Sequence, residues 1–472
     1  MPSSLEALET RIAPATLLSS TAFSYTDIDG DTVMVTFSKE ILSAENFDTL
    51  VNISGGLAGT GFQDLIRLEL SGLGVTANGL GIKIVATPSK LTGGDGIISG
   101  LEIEASNVDI DGMGEGIDLG VVSIDGDINF IDAGDNDDAT LSIKSLSVKS
   151  VGLNSPGIDS DIYGGMGPLK IIGNFAGSIN VNADDISIPH IKSITIGGSI
   201  YGNLDVNSGR IYAFGSIGPV TVGGDVFGGG SDDSGSIVSD SGIGNVTIKG
   251  TVSGGNGERS GTISGYSLGA VKLSGSLRGG NGAQTGVIEA YGGDIKSVTI
   301  NGSVLGGRGH NSGIIQAADF FDLDHGNGSI GNVLIKGSVI GSVPGSDSED
   351  PEELDELSAG VAIRADNNIR KVTINGALVN ANVVAGVHAG EDLEYGTLDD
   401  GPIIGLPDAA RSIGPVVIKG GVNATTIGFA VTASKIASIQ AGGTLLKSGG
   451  PFADFTTGYV LGGGAGIFVI QV

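Results

Sequence analysis

The stretch IKSVTINGSV, Ile295 to Val304, carries the pattern that decides the fold. Its apolar and polar residues alternate, so that Val298 and Ile300 fall on one side of an extended chain and Thr299 and Asn301 on the other. A period of two, with β-branched residues at the apolar positions, is typical of a strand with one buried face. The stretch therefore predicts a β-strand rather than a helix.

The same ten-residue pattern returns along most of the chain. Its fourth residue serves as an anchor for the alignment of thirteen copies. The anchors are Leu101, Val122, Leu146, Leu169, Ile194, Val220, Val246, Val271, Val298, Val333, Val372, Val416 and Ile439. Up to Val298 their spacing is 21 to 27 residues. Repetition at such a period indicates a solenoid, in which no single unit can bury its apolar face alone.

Between the anchors a glycine-rich turn leads into a second short strand, most clearly in GGNGERSGTI, Gly254 to Ile263. About 25 residues with two or three strands match one turn of a parallel β-helix. Coils of this kind stack at roughly 4.8 Å, and parallel crossovers are right-handed in about 98% of cases. We therefore predict an all-β protein, a right-handed parallel β-helix of about thirteen coils.

A glycine at the eighth place of the repeat marks a further constraint. It occurs in most copies, for example as Gly250, Gly275 and Gly302, and an early copy has the small residue Ser150 instead. The position falls on the inward side of the alternation, where a bulky residue would be expected. The repeated small residue therefore predicts a bend or narrow corner of the coil.

The ends of the chain break the repeat and suggest three segments. Residues 1–20 form a leader segment related to export, and 21–95 form an N-terminal β cap with a degenerate first coil. The cap contains a hairpin from Phe23 to Phe37, and the first coil contains Leu65 to Gly72. Residues 96–472 form the β-helix. A cap is needed because an open solenoid edge invites association with other strands.

Composition narrows the choice of partners. The chain has 53 acidic and 24 basic residues, a formal net charge of −29, and no cysteine. Such an acidic surface repels nucleic acid and anionic membranes. No run approaches the roughly 20 apolar residues of a membrane span. We therefore expect no nucleic-acid partner, no disulfide and no transmembrane segment.

The N-terminal stretch LEALETRIAPA, Leu5 to Ala15, resembles the Leu-Glu-Pro-Leu-Glu-x-Arg type leader of large secreted proteins of verrucomicrobia and planctomycetes, with Ala7 in place of the usual proline. From YTDIDGDTVMVTFSKEILSAENF, Tyr25 to Phe47, through the coils, the chain resembles glycine-rich repeat proteins of the same bacteria. The resemblance implies an exported β-solenoid, extracellular or on the cell surface. The family has no established activity, so it assigns no catalytic residues.

One acidic turn is a candidate metal site. Asp27, Asp29 and Asp31 in the sequence DIDGD could bind calcium through their carboxylates. An EF-hand loop needs its glycine at the sixth place and a glutamate at the twelfth, whereas the twelfth place here is Ser38. We favour a plain hairpin turn and keep calcium, the only cofactor that the sequence suggests, as the alternative. A second acidic stretch, Asp132 to Ala139, is interpreted as a solvated loop.

After Val298 the anchor spacing rises to 35, 39 and 44 residues. Extra residues therefore lie around 316–328, 343–357 and 386–411, and insertions of a solenoid map to loops on its flank. We predict an interaction surface formed by the acidic residues of these loops. Its members are Asp319, Asp322, Asp324, Glu352, Glu353, Glu391, Asp392 and Glu394.

Three functions are compatible with these features. The regular stack and the sparse chemistry favour a non-catalytic, exported structural or adhesive protein of the bacterial cell envelope or extracellular matrix. Its expected partners are cell-surface polysaccharide, other envelope proteins, or further copies bound end to end. The first alternative, by analogy of fold, is a polysaccharide lyase or glycosidase that uses carboxylates in the 319–411 loops. The second is an acidic calcium-binding matrix protein.

Overall fold

The computed structural model describes residues 15–54, 62–90, 93–107, 115–135, 140–182, 190–318, 328–341, 361–388, 401–403, 411–423, 429–433, 435–441, 444–447, 459–460 and 466–471. In these ranges the protein consists almost entirely of β-strands, with short helical turns at Phe47–Leu50, Ser71–Leu73 and Val75–Ala77. Most strands pair in parallel with the next coil. The prediction of an all-β parallel β-helix is confirmed.

A regular coil contributes one strand to each of three stacks, which we number in the order in which the chain reaches them. Val220–Val222 belongs to stack one, Val226–Phe227 to stack two and Ile237–Ile243 to stack three. Each strand pairs with its equivalent one coil later. The coil is therefore a closed, three-sided unit that repeats along the axis.

Stack one comprises thirteen rungs in the described ranges. They are Leu80–Thr87, Leu119–Asp132, Leu141–Val151, Gly165–Ile171, Ile191–Ile196, Val220–Val222, Val246–Ile248, Ile263–Leu273, Ile295–Ile300, Ile330–Ile335, Ile369–Ile374, Ser412–Ile418 and Lys435–Ala441. Three of these strands turn a corner and also serve a neighbouring stack: Leu119–Asp132, Leu141–Val151 and Ile263–Leu273. By strand spacing, thirteen rungs extend about 60 Å.

The other two stacks follow the same rule. The two-residue strands of stack two are Ile200–Tyr201, Val226–Phe227, Val252–Ser253, Leu277–Arg278, Val304–Leu305, Val339–Ile340, Leu378–Val379 and Val422–Asn423. Besides the corner-turning strands, stack three contains Leu65–Glu69, Ile98–Glu104, Asp159–Tyr163, Ser178–Asn182, Arg210–Ala213, Ile237–Ile243, Ile288–Ala290, Ile315–Ala317, Val361–Ala365, Asn382–Ala385, Phe429–Ala433 and Gly466–Gln471.

The anchors of the sequence repeat lie on stack one. From Val122 to Ile439 every anchor pairs directly with the next. Leu101 is the exception, because it pairs with Ile128 on the path of stack two, and the partner of Val122 is Ile82. The prediction for Leu101 is wrong because alternation identifies the buried face of a strand but not the stack that it joins.

The inward residues form one continuous core. Val298 and Ile300 of stack one, Val304 of stack two and Ile288 of stack three are fully buried. The same apolar cluster runs from Ala15 in the cap to Ala441. Full burial of such a side chain contributes about 1.5–3 kcal/mol. Because each inward residue packs on its equivalents one coil above and below, stability depends on unbroken register.

The eighth-place glycine lies at the corner between stacks one and two. The amide of Gly302 donates to the carbonyl oxygen of Gly275, one coil earlier, over 2.8 Å. A Cβ on Gly302 would lie 2.6 Å from that same oxygen. The predicted narrow corner is confirmed. The limiting contacts of such a Cβ are with the Ser276 hydroxyl, which is nearer still, and with the backbone of Gly275, both in the neighbouring coil rather than in the core.

A second recurring device turns the chain from stack two to stack three. Arg259 and Gly261 both have positive φ, 52° and 67°, and the hydroxyl of the intervening Ser260 accepts the amide of Gly255 at 2.9 Å. Equivalent bonds join Gly280 to Thr285 and Gly307 to Ser312. The repeated Ser/Thr-Gly therefore fixes the turn that orients each strand of stack three.

Antiparallel strands cover the N-terminal edge. Thr16–Ser19, Ala22–Thr26 and Thr32–Phe37 form a meander, and Thr32–Phe37 pairs with Leu80–Thr87, the first rung of stack one. The predicted hairpin is present. Val51–Ile53 similarly pairs antiparallel with Leu65–Glu69, whose parallel pairing with Ile98–Glu104 makes it the first rung of stack three. The first described strand of the cap begins at Thr16, inside the segment predicted to be the leader.

The described residues that flank the three insertions place one end of each insertion beside stack three. The 316–328 region follows Ile315–Ala317, the 343–357 region precedes Val361–Ala365, and the 386–411 region follows Asn382–Ala385. A short antiparallel pair, Val387–His388 with Gly401–Pro402, belongs to the last of them. Stack three is therefore the flank that the insertions border.

The corner glycine yields a test of the stacking constraint. Gly302→Ala should lower the thermal unfolding midpoint, because relief of the 2.6 Å contact must shift one coil against the next, with a destabilisation of about 1–3 kcal/mol. Gly72→Ala is the control, since a Cβ there has no atom within 4 Å. Equal midpoints for the two variants, measured by circular dichroism, would contradict the assignment of this corner.

Candidate functional site

The predicted acidic turn lies at the tip of the cap hairpin, between Ala22–Thr26 and Thr32–Phe37. The amide of Asp31 donates to the Asp27 carboxylate at 2.7 Å, and Gly30 has a φ of 96° that closes the turn. One carboxylate oxygen from each of Asp27, Asp29 and Asp31 lies within 4.8 Å of the other two. The turn therefore converges three carboxylates on one point.

Ser89, Asp95 and Gly96 complete this site. The Asp31 carboxylate accepts the amides of Ser89 at 2.9 Å and Gly96 at 2.6 Å. Asp29 accepts the amide of Asp95 through one oxygen at 3.1 Å, and its other oxygen is buried without a hydrogen-bond partner. The adjacent cavity has a volume of about 230 Å³, and Asp64 also lines it. Backbone donors, the amide of Asp31 included, thus hold all three carboxylates in place.

The acids around this cavity lie close together, and their pKa values are shifted. Burial, with the hydrogen bond to Asp29, raises the pKa of Asp27 to about 7, and that hydrogen bond lowers the pKa of Asp29. Burial, then the charge of Asp29, raises the pKa of Asp64. A proton shared by Asp27 and Asp29 therefore relieves the repulsion, and a bound divalent cation would do the same. Carboxylate oxygens are the ligands that calcium prefers.

The predicted interaction surface lies outside the described residues. This holds for all eight of its acids, Asp319, Asp322, Asp324, Glu352, Glu353, Glu391, Asp392 and Glu394. The candidate acid–base pair of a lyase or glycosidase belongs to the same loops. The surface and the enzyme hypothesis therefore stay predictions of the sequence.

The structure reveals a polar ladder that the sequence analysis missed, formed by outward side chains of stack three. Paired residues on neighbouring rungs make up the ladder. They are Glu69, Glu104, Asp132, Asp161, Asn180, Tyr212, Val238, Ser264, Glu289, Gln316 and Arg364. A signal was available, because the strands that follow the glycine turns repeat Ile-x-Ala with a polar or aromatic middle residue at Tyr212, Glu289, Gln316 and Arg364.

Two acids in the N-terminal part of this ladder have raised pKa values. The Asp132 carboxylate accepts the amide of Asp161 at 2.9 Å, and the Asp161 carboxylate accepts the side-chain amide of Asn180 at 3.2 Å. Burial raises the pKa of Asp132 to about 7, and burial also raises the pKa of Asp161. The solvated-loop interpretation is wrong for Asp132, which ends the strand Leu119–Asp132 and is only partly exposed.

The fold and the outward face of stack three define the class of protein: a capped parallel β-helix with a polar ladder on one side. No protein-family model matches the chain, and no curated protein or solved structure is significantly similar to it. Among the described residues, no helix has the length and apolar character needed to cross a membrane. The geometry of the acidic turn and of the polar ladder is therefore the guide to function.

The raised pKa of Asp132 predicts a pH dependence. Its ordinary value is 3.8 and its folded value about 7, so the folded chain holds more protons between these limits. Stability from this group is present below about pH 4 and is lost as the pH rises to about 7. Asp132→Asn should therefore unfold with a weaker dependence on pH across this window.

The measurement is the thermal unfolding midpoint at several pH values across the window, in the presence of a chelator. Asp48→Asn, a change at an exposed acid of the cap, should retain the wild-type pH profile. An Asp132→Asn profile parallel to that of the wild type would show that this carboxylate does not titrate as its burial implies.

Proposed function

We propose that this protein is a non-catalytic, exported structural or adhesive β-solenoid of the bacterial cell envelope or extracellular matrix. The observation that carries the proposal is the direct coil-to-coil pairing of the stack-one anchors from Ile82 to Ile439, with one continuous core beneath them. Such a stack makes a stiff rod of about 60 Å. A rod that displays a polar ladder along one flank suits a spacer or an attachment surface.

One feature supports location outside the cell: the leader and the coils resemble exported repeat proteins. The chain's net charge of −29 favours solubility and discourages binding to anionic surfaces. The expected partners are surface polysaccharide, other envelope proteins, and other copies of the chain at its ends. The three sides of the coil form long surfaces to which polysaccharide or envelope proteins could bind.

Labelling of intact cells tests the location. Lys192, Lys249, Lys272 and Lys296 are exposed on the coils, so a membrane-impermeant amine reagent should modify the protein on intact cells that produce it. A cytoplasmic protein in the same cells is the negative control, and labelling after lysis is the positive control. Modification only after lysis would contradict surface exposure.

Calcium binding at the cap hairpin is a second candidate function. The observation that favours it is the convergence of Asp27, Asp29 and Asp31 within 4.8 Å, together with the buried Asp29 oxygen that has no hydrogen-bond partner. Calcium takes six to eight oxygen ligands, and extracellular sites bind it at about 10⁻⁴–10⁻³ M. Water would supply the ligands beyond the carboxylates. A cation here would fix the strand pair that covers stack one.

Thermal unfolding with and without calcium tests this site. At a concentration ten times the dissociation constant, one bound ion stabilises the folded chain by about 1.4 kcal/mol. Calcium should therefore raise the unfolding midpoint of the wild type and of Asp48→Asn, but not that of Asp29→Asn. Magnesium at the same concentration controls for ionic strength. No calcium-specific shift at millimolar concentration would exclude a functional calcium site at this hairpin.

A further inference from the structure

The polar ladder opens into a cleft on stack three. The cleft has a volume of about 380 Å³, within the range of small-ligand sites. Four successive coils contribute to it, through Tyr212, Asp240, Ser264 and Tyr291 among others. Three steps between coils correspond to roughly 14 Å along the axis. The site therefore exists only when several repeats are stacked.

Two aromatic rings, those of Tyr212 and Tyr291, line the cleft. The Arg210 guanidinium lies over the Tyr212 ring, 4.6 Å from its centroid. Tyr291 meets Tyr266 edge to face, with centroids 6.0 Å apart and an angle of 88°. Tyr266 is 50% exposed. Rings in such contacts present apolar faces at a low entropic cost of binding, since they are already held in position.

Hydrogen bonds fix the two tyrosines that line the cleft. The Tyr212 hydroxyl donates to the Asp240 carboxylate. The Tyr291 hydroxyl donates to the backbone oxygen of Asp240 at 2.7 Å. Burial, then the hydrogen bond to Asp240, raises the pKa of Tyr212, so its hydroxyl stays protonated. Asp240 is exposed and retains acceptor capacity for a ligand.

Buried polar groups support one side of the cleft. The Glu289 carboxylate accepts the Ser264 hydroxyl at 2.8 Å and the Gln316 amide at 2.6 Å. Beyond Glu289 the outward ladder is buried at Gln316, Arg364 and Val384. Val384 belongs to a second apolar cluster with Val287, Ile314 and Val387. The open groove therefore ends where this cluster begins.

The lining charges nearly cancel. Arg259 forms a bidentate ion pair with Asp233, with both nitrogen–oxygen distances at 2.9 Å. Arg210 offsets one of the two remaining acids, Asp240 and Glu289. Such a lining favours neither a strong anion nor a strong cation. A nucleic acid would stack on tyrosine too, but the chain's charge of −29 repels it.

We propose that this cleft binds a neutral saccharide chain laid along the helix axis. The apolar faces of sugar rings would stack on Tyr212 and Tyr291, and their hydroxyls would bond to Asp240 and to the guanidinium of Arg210. Such a site would give the solenoid a ligand of its own. The proposal concerns binding by the purified protein and does not depend on where the protein is located in the cell. A failure of the cell-labelling test would therefore not decide whether the cleft binds a saccharide.

Native affinity electrophoresis tests the cleft with defined probes, because the acidic protein migrates readily. Gels contain xyloglucan, galactomannan, mixed-linkage β-glucan or dextran, with polygalacturonate as the acidic comparison. At least one neutral polymer should retard the wild type. Tyr212→Ala and Tyr291→Ala should each weaken this binding by about tenfold, as expected for a buried aromatic contact. Tyr212→Phe should lose less, since it keeps the ring.

Tyr201→Ala is the matched control, because Tyr201 is a 40% exposed tyrosine on stack two that stacks on Phe227 at 5.4 Å. It should bind as the wild type does. Circular dichroism verifies folding, and if an alanine variant fails to fold, the exposed Asp240→Asn replaces it and should also weaken binding. The proposal is overturned if no neutral polymer retards the wild type, if polygalacturonate alone does, or if folded cleft variants bind normally.

Discussion

The close approach of successive coils is the constraint on which the whole structure depends. Backbone amides of each coil donate to carbonyls of its neighbour, as Gly302 does to Gly275, and this bonding leaves no room for a Cβ at that corner. The spacing also sets inward residues on their equivalents, so that β-branched side chains pack as columns. Glycine, costly in a strand interior, is retained here because the neighbouring backbone occupies the space.

The same close approach of coils brings outward residues at equivalent positions of the repeat together into surface sites. Outward residues on neighbouring rungs of stack three lie one strand spacing apart, so the polar residues of successive coils form a polar ladder, interrupted by Val238. Where the ladder carries acids close together, as at Asp132 and Asp161, burial raises their pKa values. The charges of neighbouring acids add to this effect. Where it carries tyrosines and paired charges, it forms a cleft with a nearly neutral lining.

The cap covers the edge of the first coil, which would otherwise present unpaired backbone groups. Its strands Thr32–Phe37 and Val51–Ile53 pair antiparallel with the first rungs, so the edge bonds are satisfied within the chain. The turn that joins the hairpin strands concentrates Asp27, Asp29 and Asp31. Edge protection and the candidate calcium site therefore involve the same hairpin, and a bound cation would stabilise the cover of the solenoid.

The alternation of residues by itself determined the strands, their buried face and the repeat length, because these depend on neighbours in sequence. It also placed the anchors from Val122 to Ile439 in correct register and located the acidic hairpin turn. It misplaced Leu101, since the same alternation occurs on all three stacks. The cleft around Tyr212 and Tyr291 was decided only by the tertiary structure. Its residues come from coils about 25 residues apart, and only the stacking of those coils brings them together.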